Sequence, residues 1–358
     1  MTFFAVRGAG SGDAAAKGSF GVAYAGARSR DDRPAAHGRA DGGLYAALDL
    51  GTNNCRLLVA RPSNGGFRVV DAFSRIVRLG EGLTRAGRLG EAAMARAIEA
   101  LHVCAAKLRR REEVQFRGVA TEACRRAENG MAFLSRVREE TGLMLEPIAP
   151  AEEATLALAG CAPLLDTTHP RAIVFDIGGG STEVMWLSQT SDGWDLVDFV
   201  SMPWGVVPVS ERFGPGVVAP EAYEAVVSEV CASLAALDER HSIAGHVAAG
   251  NVDMLGTSGT VTTLSGLAMG LARYQRERVD GSWLESEAVR RHSAALAAQD
   301  FEARAAHPCI GRERADLVVA GCAVLEGICR RWPIARLRVA DRGLREGILL
   351  GLMRAEAP

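Results

Sequence analysis

Lysine is nearly missing from this chain: Lys17 and Lys107 are the only two among 358 residues, and arginine carries the rest of the positive charge. Arginine's planar fork suits phosphate oxygens, although genome composition accounts for the bias equally well. The scarcity also removes a large enzyme class. A Walker loop needs Gly-Lys-Ser/Thr, and neither lysine follows a glycine, so a P-loop nucleotide site is excluded. None of the eight cysteines forms a C-x-x-C pair, which leaves no signal for zinc or a redox dithiol. Neither sign of charge dominates. A net charge of −2 gives no basis for binding nucleic acid or an anionic membrane. No apolar run approaches a membrane span, and the opening Met-Thr-Phe-Phe-Ala-Val lacks a preceding basic region. The cytoplasm is therefore the expected location. What remains is 48% hydrophobic and 23% charged, a globular composition with length for two domains.

Residues 1–43 are rich in Gly, Ala, Ser, Arg and Asp without apolar period, and read as a disordered tail. Gly8-Ala9-Gly10-Ser11-Gly12 is no dinucleotide fingerprint, because no strand precedes it. From Leu44 the texture changes. Short apolar runs predict strands at 44–50, 55–60 and 67–73, with a helix over 91–111, a strand at 114–120, a helix over 131–141, a strand at 144–148 and a helix over 151–161. The pattern then restarts, with strands at 172–177, 182–187 and 196–202, a helix over 221–237, a short strand at 253–255 and helices near 259, 285–298 and 311–331. A strand at 337–340 and a helix over 345–354 close it. The expected division is a tail of 1–43, a first domain of 44–152 and a second of 153–358.

The restart is an internal duplication. Asp49-Leu50-Gly51-Thr52-Asn53-Asn54 matches Asp176-Ile177-Gly178-Gly179-Gly180-Ser181, each between two apolar strands and 127 positions apart. Glycines let backbone N–H groups surround phosphate oxygens without a Cβ in the way. Thr52, Asn53, Ser181 and Thr182 add side-chain donors. Asp49 and Asp176 would repel phosphate, and make sense if a hydrated magnesium ion lies between them and the anion. A single such turn is as readily an Asp-capped β-turn; two in register point to a phosphate site. Gly256-Thr257-Ser258-Gly259-Thr260 stands where a strand meets a helix, a place suited to anions and equally to ordinary N-capping.

These hairpins resemble those of the acetate kinase, sugar kinase, heat-shock chaperone and actin superfamily. Within it the chain is similar to the exopolyphosphatase and guanosine pentaphosphate phosphohydrolase (Ppx/GppA) family. The likeness is carried by Ala47–Asn54, Val77–Leu83, Ala120–Arg125, Glu152–Ala154, Phe175–Glu183, Gly256–Thr260 and Leu344–Ile348, in the family's order over residues 44–351. It implies an α/β, duplicated actin-like (ribonuclease H-like) fold of two lobes with the active site in the cleft between them. It also implies roles. Glu153 would be the catalytic base for water, and Asp49, Asp176 and Glu183 would hold magnesium or its waters. Asn54, Gly178, Gly179, Gly180, Ser181 and Ser258 would line the phosphate pocket, with Arg125 and Arg78 on the chain beyond. Without the family likeness, Glu153 reads as a helix N-terminal glutamate favoured by the dipole, and Arg125-Arg126 as a solvated turn.

The expected activity is magnesium-dependent release of orthophosphate from the ends of inorganic polyphosphate. Guanosine pentaphosphate or tetraphosphate is the other expected ligand, and nucleic acid and membrane are not expected. Ala149-Pro150-Ala151 replaces the Gly-rich approach frequent before the paired glutamates. The helical third domain of longer members is not found after the last helix, nor is a His-Asp dipeptide of an embedded metal phosphohydrolase. A homodimer is therefore a family expectation without the domains that support it. Two rival classes stay open: an ATP-dependent small-molecule kinase on the same scaffold, for which no acceptor-binding insert is evident, and a non-catalytic polyphosphate or guanosine tetraphosphate sensor.

Overall fold

The computed structural model describes residues 43–355 apart from 64, 65 and 215. The expected tail and its Gly8–Gly12 stretch lie outside the described residues. Eleven strands are described: β1 (Leu44–Leu50), β2 (Asn54–Ser63), β3 (Gly66–Ile76), β4 (Val114–Ala120), β5 (Leu145–Pro147), β6 (Arg171–Ile177), β7 (Thr182–Thr190), β8 (Gly193–Met202), β9 (Val252–Thr257), β10 (Trp283–Glu285) and β11 (Arg336–Ala340). They form two sheets, in the orders β3-β2-β1-β4-β5 and β10-β11-β9-β6-β7-β8.

The second sheet repeats the first and adds β10 at its edge. In each, the central strand pairs antiparallel with the next strand and parallel with a later one (β1 with β2 and β4, β6 with β7 and β9). Even the irregularity is copied. The ladder slips at Val59/Ala60 in the first sheet and at Trp186/Leu187 in the second, the same separation as the two aspartates. The duplication expected from the two hairpins is thus present in the two-lobed α/β fold. β1 and β6 are nearly continuous apolar runs because both faces of each sheet are covered by helices. In each, the aspartate near the strand's end breaks a buried run.

Helices Glu91–Arg109 and Gly130–Thr141 pack one face of the first sheet. Helices Pro220–Ser233, Gly259–Ala268, Ser286–Ala297 and Val318–Arg331 pack one face of the second. The other faces meet helices Pro150–Cys161 and Leu344–Ala355. Leu344, Ile348 and Leu349 bury themselves against Tyr45, Ala47 and Leu58 of the first sheet, so the chain's last helix returns to the lobe where it began. The expected boundary at 152/153 falls inside Pro150–Cys161. These two helices cross at bare glycines: a Cβ on Gly160 would overlap the Gly343 carbonyl, and one on Gly347 the Leu156 carbonyl. The two segments are thus in direct backbone contact where they cross.

Several elements differ from expectation, β10 and short helices such as Glu122–Arg126 among them. The helix over 221–237 is two, Pro220–Ser233 and Ala235–His241; Leu234 and Leu237 stay buried through the break, so apolar periodicity does not register it. The helix over 311–331 starts only at Val318, after turns opened by Gly311 at φ +71°. An unexpected helix, Val206–Phe213, is framed by Gly205 and Gly214, which read as loop punctuation.

Candidate active site

Each hairpin closes with the same bond. Gly51 N–H donates to Asn54 O at 2.8 Å, and Gly178 N–H to Ser181 O at 2.9 Å. The remaining loop carbonyls are then tied from outside. Val77 and Arg78 N–H both donate to Asn53 O, at 2.9 and 3.0 Å, and Gly80 N–H to Thr52 O at 2.9 Å. On the second hairpin, Val206 N–H donates to Gly178 O at 3.0 Å and Val207 N–H to Gly179 O at 2.9 Å. The first amides of helix Val206–Phe213 thus find the acceptors they lack within the helix. With carbonyls held outward, the inner faces present amides: among the described residues, N–H of Thr52, Asn53, Gly179 and Gly180 has no partner. Such faces attract anions.

The hairpins touch one another. A Cβ on Gly179 would come within 2.9 Å of Asn53 N and 3.0 Å of Thr52 Cβ. None of Gly178, Gly179 and Gly180 has positive φ. Gly179 and Gly180 serve close approach between lobes rather than an unusual backbone. Within the second lobe, a side chain on Gly205 would overlap the backbone of Gly179 and Gly180.

Between the lobes lies a cavity of about 340 Å³. Of the residues singled out in the sequence, Asp49, Asn54, Glu153, Asp176, Gly178, Gly179, Gly180, Ser181 and Ser258 line it. Ser258 caps helix Gly259–Ala268, its Oγ accepting Thr260 N–H at 3.1 Å and Val261 N–H at 3.2 Å. Glu153 sits in the first turn of helix Pro150–Cys161, where Pro150 occupies the opening turn, a position its fixed φ suits. Its Oε2 accepts Arg125 at 2.7 Å, and the same guanidinium nitrogen donates to Ile148 O at 2.8 Å.

Three of the expected residues stand apart from the wall. Glu183 is buried behind the second hairpin, and its Oε1 accepts the hydroxyls of Ser181 and Ser201, each at 2.7 Å. Arg125 is engaged by Glu153. Arg78 pairs with Asp316 across the lobes at 2.6 Å, and also donates to Asp316 Oδ1 at 3.2 Å. It has positive φ (+49°), and its backbone is one of those holding the first hairpin.

Several lining residues had no role assigned from sequence: Arg56, Thr121, Glu122, Arg314 and Arg345. Hairpin register offers a signal for Arg56, since Asp49 pairs with it across the ladder. Arg345 falls within the Leu344–Ile348 likeness, yet nothing local says that the helix carrying it returns to the cleft. Burial holds its guanidinium below the usual range.

Carboxylates crowd this cleft. Burial raises Asp49, while Arg56 and Arg345 pull it back. Burial pushes Asp176 up to about 7, with Glu183 adding to the rise. Burial, opposed by its two serine hydroxyls, raises Glu183. Glu153 is pushed up to about 8 by burial and then by Glu183, against the pull of Arg125. Among the described residues, no three acidic, histidine or cysteine side chains come together closely enough to hold a metal ion. Asp49 Oδ1 is buried without a partner, and a hard, all-oxygen wall with two half-buried aspartates fits an oxygen-seeking cation that takes its other ligands from water and phosphate.

The Ppx/GppA phosphatase family model matches residues 58–356. Among solved structures, an Aquifex aeolicus member of that family is similar at 25% identity and a TM-score of 0.71, over 88% of this chain and 99% of that one. An exopolyphosphatase-like protein is similar at 28% identity and a TM-score of 0.77, over 88% and 99%. An exopolyphosphatase from Cytophaga hutchinsonii shares the fold at 22% identity and a TM-score of 0.77, over 87% and 98%. No described helix is long and apolar enough to cross a membrane.

Proposed function

The chain belongs to the Ppx/GppA phosphatase family, and from that premise we propose that it hydrolyses the terminal phosphoanhydride bond of inorganic polyphosphate, releasing orthophosphate. The observation that carries this is the pair of amide-lined hairpins meeting across one cleft, with Glu153 on the same wall. The amides of both hairpins would receive the terminal phosphate. Glu153, as carboxylate, would take a proton from water as its oxygen bonds to the terminal phosphorus. The bridging P–O bond breaks and its electrons leave with the shortened chain. Arg125 would steer Glu153 through the 2.7 Å contact. Asp49 and Asp176 would hold magnesium, which when bound offsets phosphate charge and the mutual repulsion of the cleft carboxylates. Glu183 would fix Ser181 from behind.

The test is phosphate release from polyphosphate, guanosine pentaphosphate and ATP, with and without magnesium, and with Glu153→Ala as control. Release from polyphosphate that falls about 10²–10⁴-fold in the variant is expected. Transfer to an acceptor without release to water would replace this reading with a kinase. Binding without turnover would replace it with a sensor. Because Glu153 is pushed up to about 8 and a base works only when ionised, kcat/KM should climb with pH toward about 8.

A further inference from the structure

Glu122 lines the same cleft but has no part in the reaction above. It opens the short helix Glu122–Arg126, and its side chain is only 15% exposed. Its Oε2 accepts the Thr52 hydroxyl at 3.3 Å. The same oxygen fills the space beside Gly180, where a Cβ would overlap it and would approach Thr52 Oγ1 to 2.6 Å. One carboxylate oxygen therefore meets both hairpins at once, one from each lobe. A hydroxyl from the first hairpin and bare glycine backbone from the second are the surroundings an incoming phosphate oxygen would use. The other oxygen, Oε1, lies 3.5 Å from the Arg126 guanidinium, which is 42% exposed and one helical turn along.

We propose that Glu122 is an internal anion: it occupies the phosphate cradle beside Gly180 and must withdraw toward Arg126 before a phosphate chain seats, so that it sets the affinity of the cleft for anions. The proposal rests on the hydrolase reading only for the identity of the anion. Two negative charges in contact within a partly shielded cleft repel strongly, so carboxylate and phosphate exclude one another. Thr52 Oγ1 carries a single proton and so donates to one of them at a time. Arg126 gives the displaced carboxylate a partner at the rim.

The experiment is calorimetric titration of the full chain with inorganic tripolyphosphate in magnesium buffer, beside steady-state phosphate release. Glu122→Gln should bind about tenfold tighter, the size of ordinary coupling between competing ligands, with KM lowered and kcat within about twofold. Arg126→Ala should bind more weakly than the unaltered chain, because the withdrawn carboxylate loses its partner. Equal or weaker binding by Glu122→Gln overturns the proposal, as does a collapse of kcat at unchanged affinity, which would put Glu122 in the chemistry. An Arg126→Ala variant indistinguishable from the unaltered chain also overturns it. Should Glu122→Gln fail to fold by thermal melting, Glu122→Asp, too short to meet both hairpins, must itself tighten binding for the proposal to stand. If the unaltered chain releases no phosphate from any substrate, the hydrolase reading fails, while the titration still decides the role of Glu122.

Discussion

Across the ladder from Asp49 in the first hairpin stands Arg56; at the same register in the second, Asp176 faces Glu183. The backbones are otherwise copies, down to the turn hydrogen bond and the position of the strand irregularity. The difference is one of charge. In the first lobe a half-buried carboxylate has a cation beside it, and Arg345 arrives from the last helix to add a second. In the second lobe a half-buried carboxylate has another carboxylate beside it, and desolvation and that neighbour push it up to about 7. Duplication supplied two anion-binding frames, and a single cross-strand position gave the first aspartate a cation for a neighbour and the second a carboxylate, with Arg56 reaching both. Magnesium should therefore depend chiefly on the second hairpin.

Removing each aspartate tests that division most severely. Asp176→Asn and Asp49→Asn should each lower turnover by about 10²–10³-fold, as loss of a charge-organising group does, with the larger loss and the larger magnesium requirement in Asp176→Asn. Phosphate release measured across a magnesium series decides it; equal losses and equal requirements would break the comparison. A smaller effect should follow from making the first hairpin resemble the second. Arg56→Gln takes the cation from Asp49, leaves the cleft more negative and should lower the magnesium needed for half-maximal rate by about five- to tenfold.

Stability against pH reads the same asymmetry without turnover. Asp176 and Glu153 are raised in the folded chain, to about 7 and about 8 from ordinary values of 3.8 and 4.5. Folding favours their protonated forms, so the stability they add is whole below about pH 4 and drains away as pH climbs through 7 to 8, where the fold must carry buried charge. Thermal melting in chelator should show this decline, and magnesium should lessen it. Glu183→Gln removes the like-charged neighbour and should make the decline shallower, whereas a slope unchanged by that variant would place the strain elsewhere. The smallest effect belongs to the rim. Arg78→Ala breaks the pair with Asp316, about a third exposed on both sides, and should cost only about 0–1 kcal/mol by chemical denaturation. A markedly larger loss would show that pair, rather than the close backbone contacts at the glycines, holding the lobes together.

Much of the site was legible because its chemistry is local. An apolar strand, an aspartate, a glycine turn and another strand appear in sequence order, and the repeat 127 positions later makes chance an inadequate account. The same locality explains what was read less fully. Glu183 and Arg78 are close in sequence to phosphate-binding segments, yet Glu183 is held by Ser201 from the next strand and Arg78 by Asp316 from the other lobe. Such partners are set by packing. Glu122 has no reading of its own in the sequence, and nothing nearby announces the glycine it faces.

The sequence by itself determined the two hairpins, their order, the strands that frame them and the helix that presents Glu153, since each follows from apolar period, turn chemistry and capping within a few residues. Only the tertiary structure decided which carbonyls are turned outward, which arginines are already engaged, that the final helix brings Arg345 back to the first lobe, and that Glu122 sits between the hairpins. Those outcomes depend on which distant groups share a buried space, where an unpaired charge or hydrogen-bonding group is costly and must find a partner wherever the fold supplies one.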